Sequence, residues 1–189
     1  MNWLVGIAIL LAFGGTNFWV WKNKRSDYDE EGILGLWLWL VIVAWIVSWG
    51  FKWWSVGGIL LGVVLALMIW CKKKKWDTWE WADVVTRSSL VMGGAITLAK
   101  GMWISSLTLW LGVGVLWIVS KTYRKWRWYK SGKMGLVALA GGVWWMGVWM
   151  ALAPWQIYKV YLAGWVMAGL AVAIYLRSGH KFSQIWPKK

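Results

Sequence analysis

Seven long apolar stretches, separated by short polar or basic segments, dominate the hydrophobic pattern of this chain. Each stretch approaches the length of roughly 20 residues that an α-helix needs to cross a bilayer. The pattern therefore predicts an all-α, polytopic membrane protein with seven transmembrane helices in a single domain. The predicted spans cover residues 3–21, 32–49, 56–71, 82–99, 102–119, 134–153 and 157–176.

The composition agrees with a membrane protein and excludes an ordinary soluble domain. Of the 189 residues, 60% are apolar and 24 are Trp, which is more than the core of a soluble domain of this size can bury. In a soluble chain the formal charge of +14 would suggest nucleic acid. Here the cations stand in short loops beside apolar spans, where anionic headgroups attract them at about 1 kcal/mol each. We therefore expect a membrane surface, and no nucleic acid, as the partner of these charges.

Lys and Arg alternate between crowded and sparse loops along the chain. The loops after the first, third and fifth spans, together with the tail, hold seventeen of them, whereas the other loops hold only Lys52, Lys100 and Lys159. Because positive residues concentrate in the cytoplasm, this pattern predicts an N-terminus outside and a C-terminus inside. The first span has no basic segment before it and no small-residue cleavage site after it, which indicates an uncleaved helix rather than a signal peptide.

Few side chains capable of chemistry lie in or beside the predicted spans. Asp83 and Arg87 are spaced i, i+4 at the start of the fourth span, and this spacing predicts an ion pair near the inner headgroups. Lys100, at the opposite end of that span, is either a cation for a lipid phosphate or a lysine that snorkels to the interface. The single cysteine, Cys71, excludes a disulfide within the chain, and neither a metal nor a cofactor is predicted. His180 is interpreted as a surface residue of the tail.

Two segments carry a resemblance to a known family. Residues 56–62 read Val-Gly-Gly-Ile-Leu-Leu-Gly and open a helix with a basic end, and residues 76–83 read Trp-Asp-Thr-Trp-Glu-Trp-Ala-Asp. Together with the polar turn at residues 131–135, they resemble prolipoprotein diacylglyceryl transferase over nearly the whole chain. The resemblance implies seven spans in a bacterial inner (plasma) membrane, with the N-terminus outside. It also implies transfer of a diacylglyceryl group from phosphatidylglycerol to the lipobox cysteine of a prolipoprotein.

The chain departs from that family at the charged positions. Val56 stands where the family has the His of a His-Gly-Gly, and residues 93–101 lack its Gly-Arg-x-Gly-Asn signature. Trp145 and Trp149 replace an Arg and a Glu of its sixth span. No catalytic residue is identified. The resemblance leaves four lipid-binding candidates, namely Lys100, Gly57, Gly58 and Thr97.

Three functions stay open at this point. The first is a divergent transferase-like protein that binds phospholipid, is catalytically silent and acts as a lipid-binding or structural subunit of a membrane complex. The second is an active transferase that depends on Lys100. The third is an unrelated small transporter, a class that normally shows intramembrane charges or broken helices. The expected partners are phosphatidylglycerol and either a prolipoprotein or a subunit of a membrane complex.

Overall fold

The computed structural model describes residues 3–50, 55–129, 131–152 and 157–179. These ranges are helical, with no strand among them, so the prediction of an all-α protein is confirmed. One helix coincides with each predicted span. The helices are α1 (Trp3–Lys24), α2 (Glu30–Gly50), α3 (Ser55–Lys74), α4 (Thr78–Ala99), α5 (Trp103–Thr122), a 3-10 turn η1 (Tyr123–Lys125), α6 (Leu136–Leu152) and α7 (Ile157–Arg177).

Two of the described segments are long and apolar enough to cross a membrane by themselves. They are Glu30–Val47 in α2 and Trp103–Lys125 in α5 and η1, and shorter apolar helical segments cover Leu136–Ala151 and Ala163–Arg177. The number of seven spans and their orientation therefore stay predictions. Lys52, His180 and the lysines of the tail lie outside the described residues.

The described helices fall into two compact units. The first unit is Phe13–Ala82, and the second is Met1–Ala12 together with Asp83–Lys189. In the first unit α2 packs against α3, and the contact is close where Gly62 faces the side chain of Val47. Small residues at such positions let two membrane helices approach each other. The predicted single domain is not tested by this division and stays a prediction.

In the second unit α6 packs against both α5 and α7. Its core joins buried side chains of three helices: Leu90, Leu109, Leu116, Val137 and Val148. Trp144 and Trp145 pack against this core and use their indole N–H groups as donors. The first donates to the carbonyl of Thr108 at 3.1 Å, and the second to the hydroxyl of Ser89 at 3.0 Å. Both indoles therefore tie α6 to a neighbouring helix instead of facing a cofactor.

Two helices end in the same hydrogen-bonded motif. At the end of α4, the N–H of Gly101 donates to the carbonyl of Leu98, and the N–H of Met102 donates to that of Thr97. This is a Schellman motif, which places one residue in the left-handed region, and Gly101 has φ +76°. The end of α3 repeats the motif with Lys75 at that position, at φ +60°. Lysine is sterically strained in this conformation, whereas glycine is not.

Candidate functional site

The buried carboxylate of Asp83 caps a helix that lies 52 residues further along the chain. Its Oδ2 accepts a hydrogen bond from the N–H of Gly135 at 3.0 Å, and its Oδ1 accepts one from the N–H of Ala138 at 2.7 Å. Asp83 is 8% exposed. The two N–H groups are the N-cap and N3 donors of α6, which have no partner within the helix. One carboxylate on α4 thus satisfies both donors and also lies at the positive end of the α6 dipole.

The local sequence explains why α6 takes its cap from another helix. Both α2 and α4 begin after an aspartate of their own, Asp29 and Asp77, and the Asp77 carboxylate accepts from the N–H groups of Trp79 and Glu80. The residue before α6 is instead Gly135, which has no side-chain oxygen and adopts φ +104°.

The same segment is tied to the end of α7. The hydroxyl of Ser131 donates to the carbonyl of Arg177, and its N–H donates to the carbonyl of Ser178 at 3.1 Å. Arg177 in return donates through Nε to the carbonyl of Met134. Ser178 is fully buried. The guanidinium groups of Arg87 and Arg177 also interact favourably with the Asp83 carboxylate.

Two tyrosines fix the start of the segment. Tyr129 is 1% exposed, and its hydroxyl donates to the carbonyl of Lys133 at 2.8 Å. Its ring meets the ring of buried Tyr123 edge to face, with centroids 5.5 Å apart. Burial raises the pKa of the Tyr129 phenol. Residues 121–133 are called the basic loop below, and buried contacts hold the backbone of its described parts, 121–129 and 131–133.

The outer side of the basic loop is cationic and aromatic. Trp126 and Trp128 stack with centroids 5.6 Å apart, and the ammonium group of Lys121 lies 4.0 Å from the ring centroid of Trp117. Downstream of Asp83 the sequence has thirteen Lys and Arg and no acidic residue. The exposed cations of the described part of the loop are Lys121, Arg124, Lys125, Arg127 and Lys133.

The first unit contains a second polar cluster, built around Glu80. Its carboxylate forms an ion pair with Lys24 and accepts a hydrogen bond from the hydroxyl of Tyr28 at 2.7 Å. The ring of Tyr28 lies edge-on to the stacked indoles of Trp76 and Trp81. Burial, followed by the interaction with Glu80, raises the pKa of Tyr28. This cluster joins the segment after α1 to the start of α4.

A second ion pair links the α1–α2 segment to the end of α3. Lys74 donates to Oδ2 of Asp29 at 2.9 Å, and this contact lowers the pKa of the Asp29 carboxyl. Both partners are at least one third exposed, so the energy of the pair is small. In this unit Lys24 and Lys74 thus each pair with an acidic side chain.

The structure separates the predicted site residues. Lys100 is exposed at the end of α4, and the hydroxyl of Thr97 donates to the carbonyls of Gly93 and Gly94 in its own helix. Gly57 and Gly58 lie in the first turn of α3, which belongs to the other unit. Asp83 and Arg87 meet directly, because Arg87 donates through Nε to the backbone carbonyl of Asp83 at 3.3 Å. Their predicted ion pair and the predicted lipid contacts stay predictions.

Sequence reasoning missed Gly135, Ser131, Tyr129 and Arg177 as parts of this arrangement. One signal was present. A long apolar run that begins directly after Gly135, without Ser, Thr, Asp or Asn at that position, predicts a helix that lacks a cap of its own. A lone aspartate at the start of another span can supply that cap, because its carboxylate accepts hydrogen bonds from the N–H groups of the helix end.

Comparison with known proteins supports a location in the membrane and gives no support to a transferase. The chain is similar to the inner membrane-spanning protein YciB. The relatives come from Neisseria meningitidis serogroup A and serogroup B, and each is 30% identical to this chain over 128 residues. The match covers 57% of this chain and 66% of each relative, so it spans slightly less than two thirds of their length. No protein-family model matches the chain. No solved structure matches it either.

The resemblance to prolipoprotein diacylglyceryl transferase is wrong, because the similarity leads to YciB. The transferase-like function and the link to lipoprotein biosynthesis are withdrawn with it. The resemblance depended on glycine pairs, tryptophans and basic helix ends, which multi-span membrane proteins share for physical reasons. The predicted location is confirmed by the relatives' inner-membrane location and by apolar helices of membrane-crossing length. The chain is an integral protein of the bacterial inner membrane.

Proposed function

We propose that this chain is a structural subunit of an inner-membrane assembly, and that its basic loop is a docking surface for an anionic partner on the cytoplasmic face. In this proposal the seven helices all cross the membrane, with the N-terminus outside and the C-terminus in the cytoplasm. The uneven distribution of Lys and Arg supports that orientation, because the basic loop is among the most positively charged connections of the chain.

One observation carries the proposal: buried contacts hold the basic loop from two sides. Asp83 of α4 holds the Gly135 end, and Arg177 of α7 holds the stretch from Ser131 to Met134. Ordering a loop costs roughly 1–2 kcal/mol of backbone entropy per residue. A loop that is already ordered loses little further entropy when a partner binds. Its affinity for that partner is therefore higher.

The geometry gives less support to a transporter. An ionisable side chain within a span is the usual mark of a solute or ion pathway. Asp83 is the acidic residue of the described part of the second unit, and both of its carboxylate oxygens accept hydrogen bonds from the start of α6. Its position is therefore explained by helix capping.

Retention on immobilised heparin, used as a polyanion probe, tests the docking surface. Purified protein in non-ionic detergent is loaded at low salt, and the salt concentration at elution is measured. We expect a triple variant with Lys125→Gln, Arg127→Gln and Lys133→Gln to elute at clearly lower salt than the wild type. The matched control carries Lys22→Gln, Lys72→Gln and Lys73→Gln, three exposed cations of the first unit. Equal shifts of both triple variants would show that heparin senses net charge alone and would contradict the proposal.

Asp83→Asn gives a more decisive test, because the change in charge and the loss of the helix cap predict opposite shifts in the salt concentration at elution. The substitution removes one negative charge, which by itself would strengthen binding to a polyanion. Loss of the carboxylate cap loosens the basic loop, and the proposal therefore expects earlier elution. Later elution of Asp83→Asn would show that the arrangement of the loop is irrelevant to docking.

A further inference from the structure

We infer that the partner of the basic loop is the anionic headgroup of phospholipids in the cytoplasmic leaflet, an inference that depends on the proposed docking function. The loop connects the end of α5 to the start of α6, so its cations stand within a few residues of apolar helix surface. In the proposed orientation this is the depth of the phosphate groups of the inner leaflet.

The surface of α5 that leads to the loop is apolar along the helix and ends at a cation, as a binding surface for a lipid requires. Its exposed apolar side chains run along the helix, and Leu111 is 65% exposed and Ile118 57%. The same helix then presents Trp117, 50% exposed, with the ammonium group of Lys121 over its ring. An acyl chain can follow the apolar side chains while its phosphate reaches Lys121. An acidic soluble protein would use the cations and leave this apolar surface uncovered.

The aromatic residues of the loop favour an interface as well. Trp side chains are enriched at the level of the headgroups, where the ring is apolar and the N–H remains in contact with polar groups. Trp128, 46% exposed, stacks on Trp126 between the cations Lys125, Arg127 and Lys133. Cations and indoles thus alternate along the same short segment. A lipid headgroup region offers partners to both kinds of side chain.

The sequence after the start of α4 supplies no acidic residue to the basic loop. No Asp or Glu follows Asp83, and Asp83 itself is buried against α6. The lysine run at the end of α3 differs, because Lys74 there pairs with Asp29. The first unit as a whole has six acidic residues beside its eight Lys and Arg, so an external anion meets more net positive charge at the basic loop.

Native mass spectrometry of the full chain tests the inference. Purified protein in non-ionic detergent is mixed with equal amounts of phosphatidylglycerol and phosphatidylcholine that carry the same acyl chains, and bound lipid is counted. We expect a preference for phosphatidylglycerol. The loop triple variant, Lys125→Gln with Arg127→Gln and Lys133→Gln, should lose about fivefold in affinity for each cation removed. The control triple variant of Lys22, Lys72 and Lys73 should keep the preference.

The other outcomes separate the two proposals. Equal binding of both lipids, or equal losses in both triple variants, would overturn the lipid assignment. If heparin retention still depended on the loop, the docking function would stand and the partner would be an acidic protein. If loop-dependent heparin retention also failed, both proposals would fall. Displacement of phosphatidylglycerol by roughly 10 mM inorganic phosphate, a concentration that screens exposed charges only weakly, would show that a free phosphate is the ligand. Circular dichroism confirms that each variant is folded.

Discussion

Asp83 and Ala138 lie 55 residues apart in the sequence, and Oδ1 of the first accepts a hydrogen bond of 2.7 Å from the backbone N–H of the second. With the bond from Gly135, this contact joins α4 to the start of α6. A buried carboxylate that receives two N–H groups is stabilised by both hydrogen bonds and by the helix dipole. Removing it leaves two buried donors without partners.

We expect Asp83→Asn to lower the free energy of unfolding by about 1–3 kcal/mol, because the amide can accept only one of the two hydrogen bonds well. The measurement is reversible unfolding in mixed detergent micelles, followed by circular dichroism. Asp77→Asn is the matched control, since it retains a good N-cap side chain on α4 and should cost less. A smaller effect at Asp83 than at Asp77 would mean that α6 does not depend on this cap.

The predicted pair of Asp83 and Arg87 is tested by a double-mutant cycle. If the two charges compensate each other, Asp83→Asn alone or Arg87→Gln alone should destabilise the protein more than both together. The coupling energy is read from unfolding of the three variants in the same detergent. Additive effects would assign the role of Asp83 to the α6 cap alone.

Gly135→Ala should destabilise the protein by about 1–3 kcal/mol, because a side chain at φ +104° is strained. Gly147→Ala is the control in the same helix. It lies in the interior of α6 with open space around its position, so alanine there should be neutral or slightly stabilising. Thermal unfolding of the two variants gives the comparison. Equal effects would indicate that the start of α6 tolerates another backbone conformation.

Lys75→Gly should stabilise the protein by a few tenths of a kcal/mol up to about 1 kcal/mol. Lys75 occupies the left-handed position of the Schellman motif that ends α3, and glycine removes its steric cost there. Lys73→Gly, in the last turn of the same helix, should be destabilising instead, because glycine weakens a helix. The measurement is the free energy of unfolding of each variant, compared with that of the wild type. A loss of stability in Lys75→Gly would contradict the strain argument.

The raised pKa of Tyr28 makes stability depend on alkaline pH. The folded state holds the phenolic proton more tightly than the unfolded state, whose pKa is near 10.0. The contribution of Tyr28 is therefore complete below about pH 10 and declines as the pH rises through the raised folded-state pKa. In Tyr28→Phe the unfolding free energy should fall less steeply above pH 10 than in the wild type. An unchanged slope in Tyr28→Phe would contradict this role of Tyr28.

The proposed orientation predicts opposite labelling at two exposed lysines. In a background that carries Cys71→Ser, we expect Lys100→Cys to react with a membrane-impermeant maleimide from the periplasmic side. Lys125→Cys should react only in inverted membrane vesicles, because the basic loop is proposed to be cytoplasmic. Labelling of both positions from the same side would contradict an odd number of spans between them.

The helices were predictable because long apolar stretches and their basic ends are local features of the sequence. The start of α4 shows the same point, since Asp77 followed three residues later by Glu80 is a local capping signal. Asp83 was also recognised as unusual. Its hydrogen bonds to α6 were not predicted. The sequence predicted an ion pair with the neighbour at i+4, whereas the carboxylate accepts from backbone N–H groups of another helix. Backbone groups carry no residue identity, so no motif marks them.

The family prediction failed for a related reason. Glycines such as Gly57 and Gly58 serve helix packing in many membrane proteins, and Trp at helix ends serves the interface. A resemblance that depends on these residues reflects the membrane environment that such proteins share. It is weak evidence of common ancestry. The charged positions that were missing, beginning with the histidine replaced by Val56, were the informative part of the comparison.

The contacts of Ser131 with the carbonyls of Arg177 and Ser178 impose an order on biosynthesis. The ribosome completes the basic loop while the partner residues, 46 positions further on, have not yet been synthesised. In the proposed topology the loop therefore reaches its final conformation only after α7 has entered the membrane and its end has returned to the same face. Until then the nascent loop has only the Asp83 contact at Gly135 and the contacts of Tyr123 and Tyr129, and the last helix completes the surface that the earlier ones began.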